Sequence, residues 1–187
     1  LAYRPVLFLS VLLALPGLLS SQEAIAEDGW KAGVARAKIT PAEPMWMAGF
    51  VRDRPSEGTD QELWLKALAL EDAEGRRLVV VTTDLLGLPR WLSEAVTSRL
   101  QKTLALERDA IMLTSSHTHC SPVLRDSLYD VYPLDDAEKA KLEAYSSRLV
   151  DQMVETVAEA FDHLAPASLA AGQGEAGFAI NRRQNSM

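Results

Sequence analysis

The chain has 187 residues, 48% of them hydrophobic and 24% charged, with a net charge of −7 and a pI near 5.0. That is enough apolar material for one packed domain. The acidic balance, with no Lys/Arg cluster, argues against nucleic acid and against simple electrostatic docking on anionic lipid. It leaves room for a lipid-like or amide substrate, because such molecules are gripped by apolar grooves.

Residues 1–26 read as an export signal. Arg4 gives a short positive start, residues 6–19 an apolar run broken by Pro16 and Gly17, and Ala24-Ile25-Ala26 the small residues of a cleavage site. The run is short for a membrane span of about 20 residues, although a retained anchor is the alternative. The address is then periplasmic, secreted or cell-surface. The single cysteine, Cys120, offers no internal disulfide framework, so the remaining domain, residues 27–187, must stand on burial.

Residues 32–40 read as a short strand stopped by Pro41. Residues 41–59, rich in Pro, Gly, Met and Trp and lacking any period, read as a long loop of the kind that usually carries function. Residues 63–70 alternate and residues 78–83 are a β-branched run, with the polar turn Glu71-Asp72-Ala73-Glu74-Gly75 between them. This is a hairpin signal. After Pro89, the spacing of Leu92, Val96, Leu100 and Leu104 predicts an amphipathic helix. Residues 110–114 read as a buried strand. From 135 to 161, Leu142, Tyr145, Leu149, Met153, Val157 and Phe161 keep helical spacing, with Asp135 and Asp136 at the end that favours negative charge. Pro166 stops that element, and short extended pieces follow at 167–171 and 178–180. The alternation predicts an α/β fold, a mixed sheet with helices packed on it. The last residues do not look like a capped terminus, so the expectation is the front part of a larger catalytic domain.

Chemistry concentrates in Ser115-Ser116-His117-Thr118-His119, directly after a strand. Residues two apart in extended backbone point the same way, so the two imidazoles face one side of a strand end, where open α/β sheets place their ligand crevices. Imidazole is a common zinc ligand, and a catalytic zinc takes three protein ligands plus water. The bland alternative is a surface-loop pair that holds no metal. A metallo-β-lactamase arrangement is set aside, because Cys120-Ser121-Pro122 follows where an acidic residue and a further His are needed. His163, at the end of the long helix, is expected to meet that helix's last carbonyls or its dipole. Asp84 either orients an imidazole or caps the following turn, and Thr118 can do the former through its hydroxyl. Cys120 reads as a small residue packed in a turn. Asn181, Arg182 and Arg183 group donors suited to a carboxylate or an oxyanion. Trp46, Met47 and Phe50 in the long loop can wall an acyl chain, or simply fold over the core.

Several segments together resemble the N-terminal part of the neutral/alkaline non-lysosomal ceramidase family. They are the run from Ala32-Gly33-Val34 to Ile39-Thr40-Pro41, the Met47-Ala48-Gly49-Phe50 loop, the strand ending at Asp84, His117-Thr118-His119, and Phe178-Ala179-Ile180-Asn181-Arg182. The resemblance implies a Zn2+-dependent amidohydrolase that cleaves the N-acyl bond of ceramide into sphingosine and a fatty acid. It implies His117 as a zinc ligand, His119 as a hydrogen-bonding or proton-transferring neighbour of the reacting carbonyl, and Arg182 on the substrate side. The family's other ligands, a His, a Glu and a Tyr, lie further along its chain, so the fragment alone is expected to be inactive. Two departures stand at the site. Cys120-Ser121-Pro122-Val123-Leu124 replaces Ser-Gly-Pro-Gly-Gly, and Arg183 follows Asn181-Arg182 instead of Ser-Pro. The expected partner is a lipid-like or N-acyl amide substrate, with room for peripheral membrane contact. The rivals are an amidase or esterase on the same scaffold and a non-catalytic exported domain.

Overall fold

The computed structural model describes residues 25–178. Of the expected signal, residues 1–24 lie outside the described residues while Ile25 and Ala26 begin the first strand, and the group of Asn181, Arg182 and Arg183 also lies outside. The chain divides into two compact units, Glu27–Leu169 and one made of Leu1–Ala26 with Ala170–Met187. Residues 172–178 belong to no regular element and are exposed; of the extended piece expected at 178–180, only Phe178 is described. Everything that follows concerns the first.

In chain order the elements are β1 (Ile25–Lys38), β2 (Met47–Ala48), β3 (Trp64–Glu71), β4 (Arg77–Thr83), α1 (Arg90–Leu104), β5 (Ile111–Ser115), β6 (Ser121–Pro122), α2 (Asp136–Asp162) and β7 (Ala165–Ala171). The main sheet runs β5-β4-β3-β1-β7, and β2 and β6 form a separate two-stranded ladder. β3 and β4 are the expected antiparallel hairpin, paired from Leu65↔Thr83 to Glu71↔Arg77. Asp72 closes its turn by accepting the Glu74 and Arg76 N–H groups at 3.0 and 2.8 Å. β5 lies parallel to β4, and a parallel neighbour requires a crossover, which α1 provides. The sheet is therefore mixed, as expected.

Alternation sends Leu65, Ala67, Ala69, Val79 and Val81 to one face, none more than 3% exposed. Leu92, Val96 and Leu100 of α1 and Leu142, Leu149, Met153 and Val157 of α2 join them in the same core. Each large side chain buried there contributes roughly 1.5–3 kcal/mol. Asp135 caps α2 by accepting the Glu138 N–H at 2.8 Å. At the other end α2 meets β1 so closely that a Cβ on Gly33 would stand 2.0 Å from the Ala160 carbonyl oxygen. His163 serves this junction, but with a different partner from the one expected. Its Nδ1–H reaches the Val34 carbonyl of β1 at 3.2 Å instead of the helix's own carbonyls.

One expectation needs correction. β5 is the edge of the sheet, so Ile111 is buried while Met112 is 58% exposed. Met112 ends an apolar row that crosses four strands in register, Val34↔Leu68↔Val80↔Met112, on the face opposite the helices. Among the described residues, no helix is long and apolar enough to cross a membrane.

Candidate functional site

Beyond Ser115 the chain leaves the sheet, with the Ser116 N–H still held by the Thr83 carbonyl at 2.9 Å. The next residue, His117, adopts φ of 57°, the left-handed region that only a few per cent of non-glycine residues use, Asn, Asp and His foremost among them. This kink aims its ring across the end of β4, where Nδ1 lies 2.7 Å from the Leu86 carbonyl oxygen. A carbonyl can only accept, so Nδ1 carries the proton and the neutral ring presents a bare Nε2 lone pair. The loop that offers this carbonyl is itself fixed, because the Leu86 N–H donates to the fully buried Ser121 hydroxyl at 2.9 Å. His119 Nε2 faces His117 Nε2 at 3.4 Å, with the two rings edge to face. The imidazoles converge, but through the left-handed kink at His117 and not through the extended backbone that the spacing suggested.

The long loop supplies the other wall. β2 pairs with β6 through Met47↔Pro122 and Ala48↔Ser121, which lays the loop along the histidine turn. Gly49 then sits directly against His119. Its φ is 113°, and a Cβ there would come within 2.5 Å of His119 Cα and Cβ, so both backbone freedom and missing bulk are needed. Tyr132, buried in the core, receives the Gly49 N–H at 3.2 Å and donates to the Phe50 carbonyl at 3.1 Å. The Phe50 ring meets the His119 ring edge-on at 4.8 Å. Arg52 returns toward the turn, its Nη2 donating to the His119 carbonyl at 3.0 Å.

The remaining sequence-derived residues fall as follows. Asp84 accepts the Trp64 N–H at 2.9 Å and donates its own N–H to the Trp64 carbonyl, so it pins the open end of the hairpin. The task of orienting His117 falls to a main-chain carbonyl. Thr118 Oγ1 accepts the Cys120 N–H at 3.3 Å within the turn. Ser116, Thr118, Cys120 and Asp84 line a cleft of about 1490 Å³ beneath residues 41–62, to which Met47 and Arg52 also contribute. Trp46 is no substrate wall. It is 5% exposed and packs against Tyr132, with ring centroids 5.9 Å apart, because Met45, Trp46 and Ala48 fold over the core. Phe50 is 59% exposed and does border the histidines. Arg182 lies outside the described residues. Among those residues no group of three or more His, Cys, Asp or Glu could hold a metal ion. Sequence reasoning missed Leu86, Tyr132 and Arg52. The first acts through its main chain and carries no side-chain signal, while the other two lie far in sequence from the atoms they hold.

The chain belongs to the neutral/alkaline non-lysosomal ceramidase family, whose N-terminal sequence model matches residues 30–187. It is 30% identical over 182 residues to the neutral ceramidase of Pseudomonas aeruginosa, covering 93% of this chain and 26% of that protein. It is also 30% identical over 137 residues to the neutral ceramidase of Drosophila pseudoobscura pseudoobscura, covering 70% of this chain and 19% of that one. The crystal structure of the Pseudomonas aeruginosa neutral ceramidase superposes with a TM-score of 0.60 at 26% identity, covering 75% of this chain and 22% of that chain. A structure of ceramidase complexed with C2 matches with the same values. The chain thus spans about a quarter of the length of these relatives.

Proposed function

We propose that this chain contributes the front half of the active site of an exported, zinc-dependent amidohydrolase acting on ceramide or a related N-acyl lipid. The observation that carries the reading is the bare Nε2 of His117, fixed by Leu86 and met by His119 Nε2 at 3.4 Å. The donor suits zinc, because a neutral imidazole with one unprotonated ring nitrogen is a common ligand of that ion. His117 Nε2 is the atom that would hold it, with further ligands from outside the described residues. When bound, the ion would polarise the amide carbonyl and lower the pKa of water to near neutrality.

The chain's own residues then have distinct tasks. The Leu86 carbonyl keeps His117 in one tautomer. His119 Nε2–H, released from the lone pair of His117 once that is engaged, donates to the carbonyl oxygen or passes its proton to the leaving amine. Arg182, from beyond the described residues, is assigned to the substrate side by the family resemblance alone. Phe50 against the His119 ring and the neighbouring Val51, 59% and 87% exposed, suit an acyl chain delivered from a lipid surface. The apolar signal in residues 1–26 supports a site outside the cytoplasm.

A second reading, an amidase for simpler N-acyl amides, is favoured by the segment after the histidines. Ser121, Pro122, Val123 and Leu124 are buried and carry β6, where the resemblance leads one to expect a glycine-rich loop. Zinc per chain and fatty-acid release are measured in the full-length protein, and zinc per chain in the full-length protein and its His117→Ala variant tests the metal. Zinc absent from the protein, or unchanged in the variant, would sink it. Fatty-acid release from ceramide compared with N-acyl amides separates the two substrates, and no release from either refutes both.

A further inference from the structure

We propose that Arg52 is a positioning residue for His119, the side chain that holds this imidazole facing His117. The inference rests on the reading that His119 acts in amide hydrolysis. Three contacts converge on His119. Gly49 lies under its Cα, Phe50 meets its ring, and Arg52 takes its carbonyl. Gly49 contributes only space, and Phe50 is one exposed ring on a loop. Arg52 ties the assembly together. Its Nε donates to the Met47 carbonyl at 3.2 Å and its Nη2 to the His119 carbonyl at 3.0 Å, so one rigid fork spans the loop and the turn. The same Nη2 lies 3.7 Å from Cys120 Sγ, and the guanidinium carbon is 5.9 Å from the Phe50 ring centre, on the side chain that abuts His119.

Fixing the His119 carbonyl fixes the peptide plane that follows it and hence the direction in which Cα projects the imidazole. Charge-assisted bonds from a planar fork suit this because one group satisfies two carbonyls at a set angle. Lysine, a point donor on a flexible stem, can satisfy only one at a time. Cys120 needs no chemistry in this arrangement.

The test compares Arg52→Met, Arg52→Lys and, as control, Arg54→Met. Arg54 is the next cation in the loop, paired only with Glu57 at 3.0 Å and exposed. In the full-length protein, with ceramide as substrate, Arg52→Met is expected to lower kcat about 10- to 100-fold. KM should stay within about twofold and zinc per chain should not change. Arg52→Lys should recover part of kcat, and Arg54→Met should match the native protein. Independently of activity, the chain has 3 histidines, so their imidazole signals are readily assigned by 15N NMR. At one fixed pH, the native chain should show a Phe50–His119 ring contact and a single His119 tautomer, both lost in Arg52→Met and partly kept in Arg52→Lys. A native kcat in Arg52→Met, or an unaltered His119 spectrum, overturns the proposal. So does an equal loss in Arg54→Met. If the native protein releases no fatty acid, the hydrolase reading fails, and the NMR comparison still decides whether Arg52 sets His119.

Discussion

Replacing Gly33 by alanine tests whether the junction between α2 and β1 is as tight as it looks. The added Cβ would stand 2.0 Å from the Ala160 carbonyl oxygen and 2.9 Å from His163 C and Leu164 N. Ordinary contact begins near 3.4 Å, so the end of α2 must retreat by roughly 1.4 Å (3.4 − 2.0). A gap of 0.5–1 Å already forfeits about a quarter to a half of a dispersion contact. Val157, Ala160 and Phe161, all buried in that turn, bring roughly 5 kcal/mol of burial between them, of which about 2 would go. Strain from overpacking adds about 1–3 kcal/mol, and the stiffer unfolded chain returns about 0.4–1. The net expectation is a loss of about 2–4 kcal/mol, or a Tm lower by roughly 5–15 °C for a domain of this size. Urea unfolding followed by circular dichroism measures it. The control is Gly58→Ala, where a Cβ meets nothing within 4 Å, and no loss is expected. A Gly33→Ala protein within about 0.5 kcal/mol of the native one would show that helix and strand are not in close contact there, and the reasoning would be wrong.

Tyr132→Phe removes the hydroxyl shared by the Gly49 N–H and the Phe50 carbonyl, inside a residue only 5% exposed. It should cost about 1–3 kcal/mol, read as a lower urea midpoint, and an unchanged midpoint would mean the hydroxyl is not engaged. Asp72 predicts a pH dependence. Partial burial pushes its carboxyl upward, but hydrogen bonds from the Arg76 and Glu74 N–H groups and the Arg76 guanidinium outweigh it and hold the pKa below the usual carboxylate range. A group lowered in the folded state stabilises fully above its unfolded value, near 3.9, and that stability disappears as pH falls through the lower folded value. Unfolding midpoints measured downward from about pH 5 should therefore fall more steeply in the native protein than in Asp72→Asn. Parallel curves would contradict the turn described here.

Much of the scaffold was legible because repetition is what a sequence displays best. Leu92, Val96 and Leu100 mark α1 by their spacing, and Leu142 to Phe161 do the same for α2. The hairpin follows from two alternating runs around Asp72 and Gly75. The histidine pair was legible as a pair, but not through extended alternation: the strand ends at Ser115, and the left-handed backbone at His117 brings the rings together. The long loop was not. Met45, Trp46, Met47 and Ala48 are all apolar, so no alternation separates the three that cover the core tightly from Met47, which borders the cleft. Only the register Met47↔Pro122 decides that, across 75 positions of chain (122 − 47). Leu86 was invisible for another reason: any residue offers a carbonyl, and the kink at His117 chose which one. Met112 misled because a strand at a sheet edge with an apolar outer row looks, in sequence, like a strand buried on both sides.

The φ of 57° at His117 has a consequence for how this chain can change. An L-residue held there gives up about 1 kcal/mol that glycine would keep. Against that stands the bond the ring makes to the Leu86 carbonyl, about 0.5–1.5 kcal/mol, so strain and contact nearly cancel at position 117. Histidine there is close to neutral for the fold, and a change at this corner would be read in what the ring does before it is read in stability.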